Sequence, residues 1–197
     1  RFSLGAGAPA GAAIDPVTGV FTWTPSEQQG PDAFDVIVIV TDTGSADTTN
    51  PSLSASETIR VTVTEVNVAP VLAAIGNRTV DEQTPLAFTA AATDSDLPAN
   101  TLTFSLGEGA PAGASINAAT GAFTWTPTED QGAGDFPIMI MVKDSSTDAA
   151  NPTLSDSETF TVQVKEVNVK PALDPISDIT VDELTQVKFT ARATDFD

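Results

Sequence analysis

Carboxylate side chains are the most abundant groups in this sequence that could bind a ligand. The 197-residue chain has 27 acidic and 8 basic residues, with no His and no Cys. Asp94 and Asp96 are two residues apart, so an alternating strand would place both on one side, at a strand end. Ca²⁺ takes about 6–8 oxygen ligands, and no single short loop of this chain could supply them. The pattern therefore indicates a calcium site built from several segments; the alternative is that the acidic residues only keep the surface soluble.

The same composition excludes several classes of function. Without Cys there is no disulfide, Fe–S cluster or thiolate nucleophile, and without His the commonest general base is missing. A formal net charge of −19 argues against nucleic acid and against an anionic membrane surface as partners. No run of about 18 apolar residues occurs, so we expect no membrane insertion in this segment. No nucleophile lies in a recognisable arrangement with a base, so we expect a protein that is not an enzyme.

The sequence repeats itself with a period of about one hundred residues. Residues 18–25 return with one substitution at 120–127, and residues 65–68 return unchanged at 166–169. A period of this length is typical of a tandem array of domains, because solenoid units are much shorter. The array predicts structural equivalence between residues 101 or 102 positions apart.

This period divides the chain into one whole repeat and two incomplete ones. We predict a repeat lacking its first strands at 1–68, a complete repeat at 69–169 and the first strands of the next repeat at 170–197. Two explanations are open for the incomplete ends. Copies of the chain could join head to tail by donor-strand complementation, or the chain is a window cut from a longer covalent array.

The apolar pattern within the complete repeat has a period of two. Leu86 and Phe88 alternate with Ala87 and Thr89, for example, and Gly, Pro, Asn and Asp fall between such segments. In the segment 136–142, alternate residues from Phe136 to Val142 should face the core, leaving the Met side chains outward. About seven short strands in one hundred residues predict an all-β fold, a two-sheet sandwich in each repeat.

Several ordered motifs resemble bacterial cadherin-like tandem repeats, of the dystroglycan-type cadherin-like or immunoglobulin-like kind. Residues 92–96 with Asn100 resemble the cadherin Asp-x-Asp element and its trailing Asn. Residues 121–129 resemble the stretch that ends in the Asp-Arg-Glu element, and residues 65–70 resemble the cadherin linker. The resemblance implies Greek-key immunoglobulin/cadherin-like β-sandwiches that bind Ca²⁺ where consecutive domains meet.

Carried over residue by residue, the resemblance implies two sets of Ca²⁺ ligands. The first set is Glu27, Glu65, Asn67, Asp94, Asp96, Asn100 and Asp144. The second set is Glu82, Glu129, Glu166, Asn168, Asp195 and Asp197.

Two departures from the cadherin pattern reduce the expected number of ions. Val68 and Val169 stand where the cadherin linker has its second Asp. In the Asp-Arg-Glu element a Pro replaces the Asp, and Ser26 or Thr128 follows it in place of the Arg. We therefore expect one or two Ca²⁺ ions at each junction.

The resemblance also implies a function. It predicts a non-catalytic extracellular segment of a bacterial surface protein, structural or adhesive, in which Ca²⁺ stiffens a stalk or filament. Its expected partners are neighbouring repeats, copies of itself, and surface glycans or proteins. A carbohydrate-binding module is an alternative, and it requires Trp23 and Trp125 to lie flat and exposed on a groove.

Overall fold

The structure is a computed structural model that describes residues 1–43, 52–146 and 152–195. The chain forms two compact units. The first comprises Arg1–Val68, Asp94–Asn100 and Ser146–Thr153, and the second comprises Ala69–Thr93, Thr101–Ser145 and Leu154–Asp197.

Among its described residues, the first unit contains five strands and one short helical turn. Strand β1 (Phe2–Leu4) pairs with β4 (Asp32–Thr41), which pairs in turn with β5 (Ser54–Val63), all antiparallel. Strand β2 (Ala13–Ile14) pairs with β3 (Phe21–Thr22) in a second, two-stranded sheet. A 3₁₀ turn at Glu27–Gln29 follows β3.

The described part of the second unit contains eleven strands and the equivalent 3₁₀ turn, Glu129–Gln131. The strands are β6 (Val71–Leu72), β7 (Arg78–Asp81), β8 (Leu86–Thr89), β9 (Ala92–Thr93), β10 (Thr103–Leu106), β11 (Ser115–Ile116), β12 (Ala122–Trp125), β13 (Gly134–Lys143), β14 (Ser155–Lys165), β15 (Ala172–Leu173) and β16 (Ala193–Thr194).

Two sheets of this unit enclose its core. One has the order β10-β13-β14-β7, in which β7 runs parallel to β14, and the other has the order β11-β12-β8. Strands β6 and β9 form a separate pair, as do β15 and β16. The all-β sandwich prediction is confirmed.

Aromatic rings join the two sheets of the second unit. Phe88 stacks on Phe123 with ring centroids 4.9 Å apart, and its edge meets Phe160 at 5.5 Å. On β13, Ile138, Ile140 and Val142 are fully buried, so the predicted inward face is confirmed. Burial of this kind stabilises the fold by about 1.5–3 kcal/mol for each large apolar side chain.

Helical structure is confined to single turns in the part of the chain that the structure describes. Over the same residues, no helix has the length and apolar character needed to cross a membrane.

Candidate metal centres

The two 3₁₀ turns position an equivalent glutamate in each unit. Each turn begins with a capping box, in which the backbone N–H of Ser26 or Thr128 donates to a Gln side chain at 2.9 Å. The same Gln donates to the carbonyl of Ala10 in the first unit, at 3.1 Å, and to its equivalent in the second. These hydrogen bonds hold each turn at both ends, and they fix the positions of Glu27 and Glu129 within it.

Carboxylates of three segments meet in the first unit. Glu27 from the turn, Glu65 just after β5 and Asp96 from the 94–100 loop each offer an oxygen within 4.8 Å of the others. We call these three residues the first carboxylate cluster. Asp96 is buried and the two glutamates are half-buried.

Backbone and amide groups hold this cluster in place. Both carboxylate oxygens of Asp96 accept from the N–H of Val68 at 3.1 Å, and one accepts from Asn100 Nδ2 at 2.8 Å. Asn100 Nδ2 also donates to Asn67 Oδ1 at 3.0 Å, which ties the loop to the linker. The N–H of Leu97 donates to Glu27 Oε1 at 2.9 Å.

Asp94 supports the 94–100 loop with one carboxylate oxygen, while its other oxygen accepts no hydrogen bond from the described residues. Its Oδ1 accepts from the N–H of Asp96 at 3.0 Å. Its Oδ2 is buried and has no hydrogen-bond partner among the described residues. A buried carboxylate oxygen without a partner costs free energy unless a cation or donor satisfies it.

The surroundings of Glu65 in the first cluster disfavour ionisation of its carboxylate. Burial raises the pKa of Glu65, and the charges of Glu27 and Asp96 together with a hydrogen bond to Glu27 raise it further. Like charges this close repel, and a bound cation reverses that effect.

The second unit holds another group of three carboxylates, two of which have equivalents in the first cluster, and we call it the second carboxylate cluster. It consists of Glu82 after β7, Glu129 from the 3₁₀ turn and Glu166 after β14, with oxygens within 4.8 Å of one another. Glu129 and Glu166 are the equivalents of Glu27 and Glu65 in the first cluster.

Glu82 is the most deeply buried member, with only 2% of its surface exposed. Its Oε1 accepts from the N–H of Val167 at 3.0 Å. Its Oε2 is buried without a hydrogen-bond partner among the described residues, as is Glu129 Oε1. The second oxygen of Glu129 accepts from the Gln83 side chain.

A glycine makes room for the second cluster. A Cβ on Gly132 would lie 2.0 Å from Glu82 Oε2 and 2.5 Å from Glu166 Oε2. A side chain at this position would have to displace these two carboxylates, although the backbone conformation of Gly132 is an ordinary extended one. The sequence analysis did not single out Gly132; its recurrence 102 residues after Gly30 was the available signal.

The other predicted ligands lie as follows. Asp144, which is buried, belongs to the second unit, where its carboxylate accepts from the N–H of Leu154 at 3.0 Å. Asn168 and Asp195 are exposed in the second unit, and Asp197 lies outside the described residues. Asn67, Asp94 and Asn100 form the hydrogen-bonded surround of the first cluster.

The tryptophans do not form the exposed platform that a carbohydrate-binding module needs. Trp125 is 1% exposed, its Nε1 donates to the carbonyl of Ala112 at 3.1 Å, and its ring meets the edge of Phe136. Trp23 is half-buried and makes the equivalent bond to Ala10. Because β12 turns the Trp125 side chain into the core, the requirement of the carbohydrate-binding alternative is not met at this residue.

Comparisons with known proteins agree with this architecture. Residues 69–165 match the family model described as "Putative Ig domain". The chain is similar to repeats EC3-6 of protocadherin gammaB7, solved as a cis-dimer, with a TM-score of 0.55 and 19% identity. It is also similar to human CDH23 EC21-23 (TM-score 0.56, 20% identity) and to mouse cadherin-23 EC22-24 (TM-score 0.54, 19% identity).

The chain has a cadherin-like fold. The predicted resemblance to cadherin-like and immunoglobulin-like repeats is therefore confirmed. These matches cover 100%, 94% and 88% of this chain but only 50%, 65% and 56% of the three solved chains, in the order given. No match was found among curated protein sequences.

Proposed function

We propose that this chain is a non-catalytic structural segment of an extracellular adhesion-type surface protein, and that its two carboxylate clusters bind Ca²⁺. The observation that carries the proposal is Glu82, a residue that is 2% exposed and has one buried carboxylate oxygen with no partner among the described residues. That oxygen belongs to a group of three carboxylates within 4.8 Å. A cation bound to this group would satisfy the oxygen and offset the mutual repulsion.

The donor chemistry favours Ca²⁺ over other metals. The sequence contains no His and no Cys, so soft and imidazole-preferring metals lack their usual ligands. Ca²⁺ accepts carboxylates in irregular geometry, whereas Mg²⁺ requires a near-ideal octahedron and keeps most of its water. Carboxylates from three separate segments suit the more adaptable ion.

The proposed role of the ion is to stiffen the segment that follows the last long strand of each unit. Glu65 comes two residues after β5, and Glu166 comes directly after β14. An ion bound to Glu65 would tie this segment to the 3₁₀ turn through Glu27 and to the 94–100 loop through Asp96. Tandem repeats connected by such segments would form a stiff stalk, and without Ca²⁺ like-charge repulsion would loosen them.

The extracellular location and the adhesive role rest on the cadherin-like fold and on the chemistry of the clusters. Calcium sites in extracellular modules commonly have dissociation constants of about 10⁻⁴–10⁻³ M, which matches the Ca²⁺ concentration outside cells. A bacterial surface protein would use such modules as spacers or filaments. Neighbouring repeats and surface glycans or proteins are the proposed partners.

Calcium titration of the full chain tests the metal proposal. We expect calorimetry to detect Ca²⁺ binding in the millimolar range or tighter, and Glu82→Gln to remove one class of sites. Glu108→Gln is the matched control, because Glu108 is exposed and lies outside both clusters. Absence of binding to the unmodified chain, or equal binding by the two variants, would overturn the proposal.

A further inference from the structure

The outer face of the β10-β13-β14-β7 sheet, which points away from the core, carries apolar side chains along β13. Because Ile138 and Ile140 are fully buried, the residues that alternate with them point outward. Met139 is 40% exposed, Pro137 is exposed and Met141 is half-buried. We call Pro137, Met139 and Met141 the outer stripe.

Small residues flank the outer stripe on the neighbouring strands. Thr159 on β14 lies opposite Met139, and Ser105 on β10 lies opposite Met141. Gly107 follows β10 and donates its N–H to the carbonyl of Met139 at 2.8 Å. A Cβ on Gly107 would lie 2.8 Å from the Cβ of Met139. The stripe therefore stands between low neighbours, where a second surface can reach it.

Opposite charges stand at the two ends of the outer stripe. Asp135 precedes it and Lys143 follows it, each four residues from Met139 and each exposed. The eight residues between the two charges span about 27 Å of strand, so they cannot pair within one chain. Neither Asp135 nor Lys143 forms an ion pair with any residue that the structure describes.

This arrangement is complementary to a second copy of itself. A two-fold axis that crosses β13 at Met139 would bring two outer faces together with their β13 strands antiparallel. Asp135 of each copy would then lie opposite Lys143 of the other copy, and the two Met139 side chains would meet at the axis. With parallel strands each charge would instead meet its own kind and repel it.

The distribution of charge also favours a second copy as the occupant. The chain has a net charge of −19, so two copies repel each other over most of their surfaces. Residues 136–142 contain no charged side chain. A contact whose centre lacks charge and whose rim carries opposite charges is typical of specific protein interfaces. The outer stripe is such a centre.

We propose that the second unit binds a second copy of this chain through the outer stripe, in a symmetric contact with antiparallel β13 strands. Sheets packed face to face lie about 10 Å apart and keep their strands within about 30° of each other. Methionine side chains are flexible enough to fill the space between them. The contact joins segments side by side. It goes beyond the proposed function, and it does not require Ca²⁺.

The first unit shows that the pattern is specific to the second. Ala33 and Thr41 stand at the positions of the two terminal charges. Asp35 interrupts the equivalent stripe and pairs with Arg60 on β5 at 3.1 Å. The outer face of the first unit therefore lacks the charges that would align two copies.

Charge reversal tests the pairing. Asp135→Lys and Lys143→Asp each place like charges together at both ends of the contact, so each should weaken self-association of the full chain about tenfold. An equimolar mixture of the two variants restores opposite charges at both ends, and it should associate about as tightly as the unmodified chain. Sedimentation equilibrium at low ionic strength, where charges are least screened, gives the three affinities.

The two substitutions change the net charge in opposite directions, which separates the contact from general repulsion. If one variant associated more tightly and the other more weakly, net charge alone would govern association, and the proposal would fail. A mixture that associates no more tightly than either variant would overturn the antiparallel pairing.

A second experiment tests the centre of the contact. Met139→Glu places two like charges at the axis and should weaken association at least tenfold. Ile37→Glu is the matched control, because Ile37 is the equivalent residue of the first unit, and it should leave association unchanged. Equal effects of the two substitutions would show that the outer stripe is not the contact.

Both experiments are run in Ca²⁺ and in chelator, with circular dichroism to verify that each variant is folded. Association that appears in both solutions and depends on Met139 supports the proposal. If the unmodified chain stays monomeric at high concentration while Glu82-dependent calcium binding persists, the side-by-side contact fails and the proposed function stands.

Discussion

The Cα of Gly132 faces the carboxylate of Glu82 so closely that an added Cβ would lie 2.0 Å from Glu82 Oε2. The distance to Glu166 Oε2 would be 2.5 Å. The backbone of the 3₁₀ turn therefore forms one wall of the second carboxylate cluster.

We expect Gly132→Ala to weaken Ca²⁺ binding at the second cluster. The new methyl group must displace both carboxylates, and loss of ligand support typically costs about 10–100-fold in metal affinity. Calorimetric titration of the full chain measures the effect. Gly76→Ala is the control, because a Cβ at Gly76 meets nothing within 4 Å. Unchanged affinity in Gly132→Ala would show that the cluster does not bind the ion.

The candidate ligands named from the sequence include every member of the two clusters, but the glycine wall of the second cluster was not predicted. Glu27, Glu65 and Asp96 follow from the repeat and from the resemblance to cadherin-like motifs, and the structure brings their oxygens within 4.8 Å. At Gly132 the backbone approaches the Glu82 side chain closely, and no sequence pattern predicts such an approach. The sequence does not predict the difference in burial between Trp23 and Trp125 either, because the two lie in nearly identical motifs. Among the described strands, β12 has a neighbour on both edges, whereas β3 has a neighbour on one.

That difference in burial leads to unequal effects of two matching substitutions. We expect Trp125→Ala to lower the free energy of unfolding of the second unit by about 3–5 kcal/mol, since it leaves a cavity in a packed core. Trp23→Ala should cost about half as much or less, because the indole is only partly removed from water. Urea denaturation followed by circular dichroism measures both; equal losses would contradict the structure.

The raised pKa of Glu65 predicts a specific pH dependence of the apo protein. The folded first cluster binds this proton more tightly than the unfolded chain, whose Glu value is near 4.5. The resulting contribution to stability is present at low pH and is lost as the pH rises through the folded pKa of Glu65. In chelator, the stability of the unmodified chain relative to Glu65→Gln should therefore fall as the pH rises.

Ca²⁺ should reverse the sign of this dependence. A bound cation favours the ionised carboxylate, so the unmodified chain should gain stability over Glu65→Gln as the pH rises. Thermal melts of both proteins across the range from about pH 4 to 7.5, with Ca²⁺ and with chelator, give the comparison. Parallel pH profiles for the two proteins in chelator would show that Glu65 does not experience the charges of Glu27 and Asp96.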